Sequence, residues 1–250
     1  MAQIGIHFYQ TLNDFIAPAL RDQEINHCFF RRASVKDMIE SFNVPHTEVA
    51  LILVNGHAVN FDYLVQDSDQ IEVYPTFENC PPSARLRLRP EIPQPLTFVA
   101  DTNLGKLARY LRLLGFDCLY RNDYDDKSIA EISHDQERML LTRDRSLLQR
   151  RIITFGYFVR ADNPKIQIHE VLKKFDLYST IKPLTRCTRC NGKLAKIHKE
   201  QIEHRLQPLT KKYYSNFLTC PNCGQIYWQG SHHSRIQALI DEFTNNWPIP

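Results

Sequence analysis

The sequence has no run of about 18 apolar residues, the length at which a segment begins to read as a membrane-spanning helix. No transmembrane helix is therefore expected. The N-terminus, Met1-Ala2-Gln3-Ile4-Gly5-Ile6-His7-Phe8-Tyr9, lacks a basic start followed by an apolar stretch, so no signal peptide is expected. Internal repeats and low-complexity tracts are missing too. Neither sign of charge dominates: the formal net charge is +3 over 250 residues. That balance neither marks nor excludes a nucleic-acid binder, because local patches outweigh the sum. Cysteines are not dense enough for the disulfide framework of a small secreted domain. There are seven, and four fall in two Cys-x-x-Cys pairs, Cys187/Cys190 and Cys220/Cys223. Such pairs point to metal binding in a reducing cytoplasm.

What is present divides by composition. With 43% hydrophobic residues and 24% charged, the chain can bury cores and is not globally disordered. Residues 1–77 carry strand and helix signals. Ile4, Ile6 and Phe8 alternate, and Ser34 precedes a helical face of Val35, Met38, Ile39 and Phe42. Leu51-Ile52-Leu53-Val54 reads as a buried strand before an Asn55-Gly56 turn. Residues 78–95 contain Pro81, Pro82, Pro90, Pro93 and Pro95, which argue against continuous helix or sheet and for a linker. There Arg85, Arg87 and Arg89 alternate with Leu86 and Leu88. They fit the solvated face of a linker, or an arginine comb along a phosphate backbone.

Residues 96–180 repeat strand then helix. Strands are expected over 96–100, 116–120, 139–142 and 157–160, and helices over 103–114, 128–133, 146–150 and 168–175. The first helix has an apolar stripe of Leu104, Leu107, Ala108, Leu111 and Leu114, with Gly115 as its stop. This alternation predicts an α/β domain, a parallel sheet flanked by helices. Residues 181–250 hold the cysteine pairs, a hairpin between them over 198–204 and 213–219, and a C-terminal helix over 234–244.

Asp101 follows the apolar run Leu96–Ala100, and Asp144 follows Met139–Thr142 by two residues. Ligands of open α/β sheets bind beyond the carboxyl ends of strands. Carboxylates delivered there, joined by Asp126 or its neighbours Asp123 and Asp125, offer the hard oxygen ligands that Mg2+ or Mn2+ requires. Such an ion polarises a phosphoryl oxygen and activates water. Asp101 and Asp126 also fit as helix caps, and Asp144 fits an Asx-turn. Lys106, Arg109 and Arg112 recur along one helix opposite the leucine stripe, and Arg143 adjoins Asp144. Guanidinium groups suit phosphate, although a solvated helix face explains the first three as well. The four cysteines satisfy tetrahedral zinc and leave no open position for catalysis. His232 and His233 read as surface residues. Lys211-Lys212-Tyr213-Tyr214 and Tyr227-Trp228 suit either a small core or single-stranded nucleic acid.

The run Phe98-Val99-Ala100-Asp101-Thr102-Asn103-Leu104-Gly105-Lys106-Leu107-Ala108-Arg109-Tyr110-Leu111-Arg112-Leu113-Leu114-Gly115-Phe116-Asp117, then Leu141-Thr142-Arg143-Asp144-Arg145 and the two Cys-x-x-Cys pairs, resembles the Mut-seven C-terminal RNase family. The resemblance implies a PIN-like nuclease fused to a zinc ribbon, with acidic positions on Asp101, Asp126 and Asp144. Asp162 is the nearest candidate for a fourth acid. Residues Val35–Glu40, Val54-Asn55-Gly56 and Asp69–Pro75 resemble the ubiquitin-like sulfur carriers. Those end in a free Gly-Gly tail, whereas this chain continues through Pro75-Thr76-Phe77, so a β-grasp docking module is expected.

The expected architecture is a β-grasp domain over 1–77, a proline-rich linker over 78–95, a PIN-like domain over 96–180 and a zinc ribbon with a helix over 181–250. The expected function is metal-dependent hydrolysis of RNA, with Asp101, Asp126 and Asp144 catalytic. Asp101 and Asp144 hold Mg2+ or Mn2+, and Lys106, Arg109, Arg112 and Arg143 hold substrate. Structural zinc sits on Cys187, Cys190, Cys220 and Cys223, and a protein partner is expected through the ubiquitin-like module. The alternative is a non-catalytic RNA- or ribosome-binding adaptor. Sulfur transfer through relay cysteines is a third reading.

Overall fold

The computed structural model describes residues 1–77, 86–228 and 233–245. Pro81, Pro82, Arg85 and His232 lie outside the described residues. The chain divides into two compact units, Met1–Pro93 with Asp126–Phe158, and Gln94–Asp125 with Val159–Pro250. Segment 126–158 clusters with the N-terminal residues in the first unit.

In the first unit, β1 (Ala2–Phe8), β2 (Ile25–Phe29), β3 (Leu51–Val54), β4 (His57–Ala58) and β5 (Gln70–Tyr74) form one sheet in the order β2-β1-β5-β3-β4. Only β1 and β5 run parallel. The alternation of β1 buries Ile4, Ile6 and Phe8, as period-2 patterning requires. Helix α1 (Val35–Ser41) starts at Ser34, whose side chain and that of Asp37 form a reciprocal capping box. Its Val35, Met38 and Ile39 pack with Ile52, Val54, Ile71 and Val73 of the sheet. Asn55 and Gly56 take positive φ angles of 51° and 78°, the conformation of a two-residue hairpin turn. This is the ubiquitin-like module.

Leu88 packs on that core. Arg89 donates to the carbonyls of Thr47 and Val49, the latter at 2.9 Å, and burial lowers its pKa. Arg87 pairs with Glu91. The arginine comb is therefore corrected: its described members are a strap on the ubiquitin-like module and a surface ion pair.

Segment 126–158 adds α3 (Asp126–Asp135), β8 (Met139–Thr142), α4 (Arg145–Leu148) and β9 (Gly156–Phe158). β8 and β9 pair in parallel, with Leu141 opposite Tyr157. Buried and part-buried polar contacts join the segment to the ubiquitin-like core. Glu48 Oε1 accepts from the Phe158 amide at 2.7 Å, and Gln149 Nε2 donates to the Glu40 carbonyl at 3.3 Å. The His46 ring spans Glu40 Oε1 at 2.7 Å and the Ile153 carbonyl at 3.0 Å.

In the second unit, β6 (Phe98–Ala100) pairs in parallel with β7 (Cys118–Leu119), flanked by α2 (Gly105–Leu113) and α5 (Pro164–Lys174). β10 (Ala195–Ile197), β11 (Phe217–Thr219) and β12 (Ile226–Trp228) form an antiparallel ribbon in that order. The expected hairpin strand over 198–204 is instead α6 (Lys199–Ile202) and a 3-10 turn, followed by α7 (Pro208–Tyr213). Lys199-Glu200-Gln201 are good helix formers without period-2 alternation, and Pro208 sits at the first position of α7, where its missing N–H costs nothing. Helix α8 (His233–Asn245) ends the described chain, with Phe243 against Tyr110 and His169.

Gly115 stops α2 as its position predicts. Its φ is +97°, and a Cβ there would sit 2.2 Å from the Lys182 carbonyl oxygen. Gly115→Ala is expected to destabilise the second unit by about 2–4 kcal/mol, combining left-handed strain with a backbone clash. Urea unfolding checks this value.

Candidate functional site

β8 is buried along its whole length, and Thr142 at its end accepts a hydrogen bond from the Asp144 amide at 2.9 Å. Asp144 then caps α4. Its Oδ1 accepts from the Ser146 amide at 2.8 Å, the Ser146 hydroxyl at 2.7 Å and the Leu147 amide at 3.4 Å. Among the described residues, Oδ2 has no hydrogen-bond partner. The cap holds the carboxylate in one orientation through that one oxygen. Arg145 turns the other way: Nη1 donates to the Phe15 carbonyl at 3.3 Å, and the guanidinium lies over the rings of Phe15 and Phe158 at 5.1 and 5.6 Å. It fastens α4 to the ubiquitin-like core. Asp126 opens α3 and pairs with Arg150 at 3.1 Å, both side chains well exposed. Asp126 and Asp144 thus both belong to the first unit.

Asp101 belongs to the second. It follows β6 and caps the 3-10 turn Thr102–Leu104, accepting from the Thr102 amide and, at 3.2 Å, its hydroxyl. The capping role open to Asp101 in the sequence is therefore real, and Asp144, which fits an Asx-turn there, accepts from the amide two residues on and caps α4 as well. Asp123 pairs with Arg121, whose hydrogen bond to the carboxylate holds that pKa down; it is a surface ion pair. Lys106 and Arg109 lie on the exposed face of α2, and Arg143 is half-buried.

Arg112 is a correction. It is 3% exposed, and its guanidinium donates to four main-chain carbonyls: Cys118 at 2.8 Å, Arg189 at 3.0 Å, Thr188 at 3.3 Å and Tyr120 at 3.4 Å. No donor face is left for a phosphate. Helical spacing places Arg112 roughly with Lys106 and Arg109, but its long stem carries the charge inward under the cysteine loop. Nearby, Asp117 accepts from Arg186 at 2.9 Å and from the Asn191 amide group at 2.8 Å. Asn191 Oδ1 accepts from the Cys118 amide at 3.1 Å. These long-range polar ties carry no periodic signal, and sequence reasoning misses them.

The first cysteine loop closes through Cys187 N to the Gly192 carbonyl at 2.7 Å, and the second through Cys220 N to the Gln225 carbonyl at 2.9 Å. Asn191 and Gly224 take φ of 70° and 71°, which lets each loop turn. The four sulfurs lie within 4.8 Å of one another, with Cys187–Cys223 at 3.6 Å and Cys190–Cys220 at 3.4 Å. Tetrahedral zinc with bonds of about 2.3 Å sets sulfurs about 3.8 Å apart, so the set fits that ion. Among the described residues, these cysteines are the grouping of three or more Cys, His, Asp or Glu placed to hold a metal ion. Burial pushes the Cys187 thiol up, but the Tyr227 hydroxyl at 3.1 Å and nearby amides bring it down to about 7. Burial pushes Cys190 up to about 12. A cation would offset that cost. Tyr214 packs against the ribbon core of Ile202, Phe217 and Ile226, while Tyr213 is exposed beside Lys212.

Parallel β-α pairing, a ubiquitin-like module and a four-cysteine ribbon together define a mixed α/β protein. Residues 96–240 match the Mut7-C RNAse domain family, and residues 1–81 match the Mut7-C ubiquitin family. The first match covers more than half of the chain, which therefore belongs to the Mut7-C RNAse domain family. No curated protein and no solved structure matches it. Among the described residues, no helix is long and apolar enough to cross a membrane.

Two outcomes check the second unit. Arg112→Ala should lower stability by about 2–4 kcal/mol, because buried carbonyls lose their donors; Arg109→Ala should stay within about 0.5 kcal/mol. Chemical denaturation separates the two. Elemental analysis of purified protein should find one zinc per chain, and Cys220→Ser should lose it together with the folded ribbon.

Proposed function

We propose that the chain is a metal-dependent ribonuclease that hydrolyses RNA phosphodiester bonds, with Asp101 and Asp144 as ligands of Mg2+ or Mn2+. The observation that carries this reading is the Asp144 carboxylate, whose Oδ1 is fixed by three donors and whose Oδ2 is left to a ligand. Mg2+ is commonly held by only one or two carboxylates, with water and substrate phosphate filling the rest. When bound, the ion would polarise the phosphoryl oxygen and lower the pKa of the attacking water. Asp101 Oδ1 accepts from the Thr102 amide and hydroxyl of its own turn. Asp126 completes the set or orients water. Its exposed pairing with Arg150 contributes about 0–1 kcal/mol and exchanges at little cost. Lys106, Arg109 and Arg143 hold the phosphate backbone, Arg109 and Arg143 by the bidentate geometry of guanidinium. Family membership supports the choice of RNA. Four thiolates that must stay reduced fit a cytoplasmic protein.

The second reading is a non-catalytic RNA- or ribosome-binding adaptor, with the ubiquitin-like module as its docking part. The sequence offers no fourth acid nearer than Asp162, and a site short of a ligand favours it.

Cleavage of labelled RNA with added Mn2+ tests the two. Asp101→Asn and Asp144→Asn should each lower kcat on the order of a hundredfold or more, with zinc content unchanged. Wild-type protein that binds RNA but shows no Mn2+-dependent cleavage selects the adaptor.

A further inference from the structure

The ribbon carries a groove that the acidic residues do not use. Its cavity is about 700 Å³, within the range of ligand-binding clefts. Lys196, His198, Lys199, Phe217, Tyr227 and Trp228 are among the residues that line it. We propose that this groove binds single-stranded RNA, with a base stacked on Trp228 and phosphates held by Lys196 and Lys199. The proposal rests on the ribonuclease reading and names the form of its substrate.

The aromatic floor is rigid. Phe217 is buried among Ile202 and Ile226, and it faces Trp228 across the β11–β12 pairing with ring centroids 6.5 Å apart. The Tyr227 hydroxyl is tied to Cys187 and Thr188, so the metal loop fixes its ring. Trp228 nevertheless remains 38% exposed. An exposed tryptophan on a rigid sheet offers a stacking platform at low entropic cost.

Charge selects the occupant. Residues 181–228 contain nine Lys and Arg against two Glu, a net +7, whereas the whole chain is only +3; the remainder is therefore −4. A zinc ion on four thiolates still leaves the ribbon at +5. Lys196 and His198 are exposed at the groove and Lys199 is half-buried, with Glu200 the one acid in the lining. A polyanion with accessible planar rings matches this surface. Base faces are free only in single strands, because a duplex stacks them away.

The test uses full-length zinc-loaded protein without added Mg2+ or Mn2+. Short labelled RNA is titrated as a single strand and as a duplex, beside polyglutamate as an acidic polypeptide. Trp247→Phe leaves Trp228 as the sole tryptophan, and its emission should be quenched by the single strand. Trp228→Ala should weaken single-strand binding about ten- to a hundredfold. Lys196→Gln with Lys199→Gln should reduce the salt slope by about 0.7 for each phosphate no longer neutralised. Zinc content should be unchanged in all variants. If Trp228→Ala loses zinc, the emission change and the lysine variant decide. Unchanged emission with an unchanged salt slope overturns the proposal, as does equal affinity for the duplex or preference for polyglutamate. Cleavage that needs Asp144 while binding ignores Trp228 sinks only the groove. Binding through Trp228 without any cleavage sinks only the nuclease.

Discussion

A guanidinium laid across main-chain carbonyls is the fastening on which the second unit depends. Arg112 reaches from α2 beneath the first cysteine loop and satisfies carbonyls from both β7 and that loop. A buried charge without a carboxylate partner is stable only if acceptors take up most of its donors. The arrangement therefore fixes the loop, and through it two of the four sulfurs. The same device recurs in the first unit. Arg89 holds the carbonyls of Thr47 and Val49, and Arg145 holds that of Phe15. Arginines that a nuclease would be expected to turn toward phosphate instead hold the backbone together. The cations proposed for substrate are fewer: Lys106 and Arg109 on the open face of α2, and Arg143.

The aspartates follow a related logic. A capping carboxylate satisfies amides that the helix itself leaves unpaired. It also becomes immobile, and a preset oxygen binds a cation at lower entropic cost. At Asp144 the cap employs one oxygen only, so the structural role leaves room for the proposed ligand role.

Much of the fold was legible from periodicity. β8 falls over its expected span, α1 starts at its expected cap, and the Asn55-Gly56 and Gly115 turns hold because only small φ-permissive residues suit them. The four cysteines were legible from spacing alone. What escaped lies in tertiary contact. Edge strand β2 alternates too weakly to stand out. The helical insert of the ribbon depends on local propensity between two strands, and Arg112 looked like surface because helical spacing reports where a stem begins, not where its charge ends. The attachment of residues 126–158 to the ubiquitin-like core, through Glu48, His46 and Arg145, joins positions about a hundred residues apart and leaves no local trace.

The central claim is that Asp144 presents an oxygen to a divalent cation. Electron paramagnetic resonance of Mn2+ titrated into the zinc-loaded protein tests it without reference to cleavage. The wild type should give a bound Mn2+ signal that is lost in Asp144→Asn while zinc is retained. Identical Mn2+ binding in the two proteins, or none in either, would contradict it.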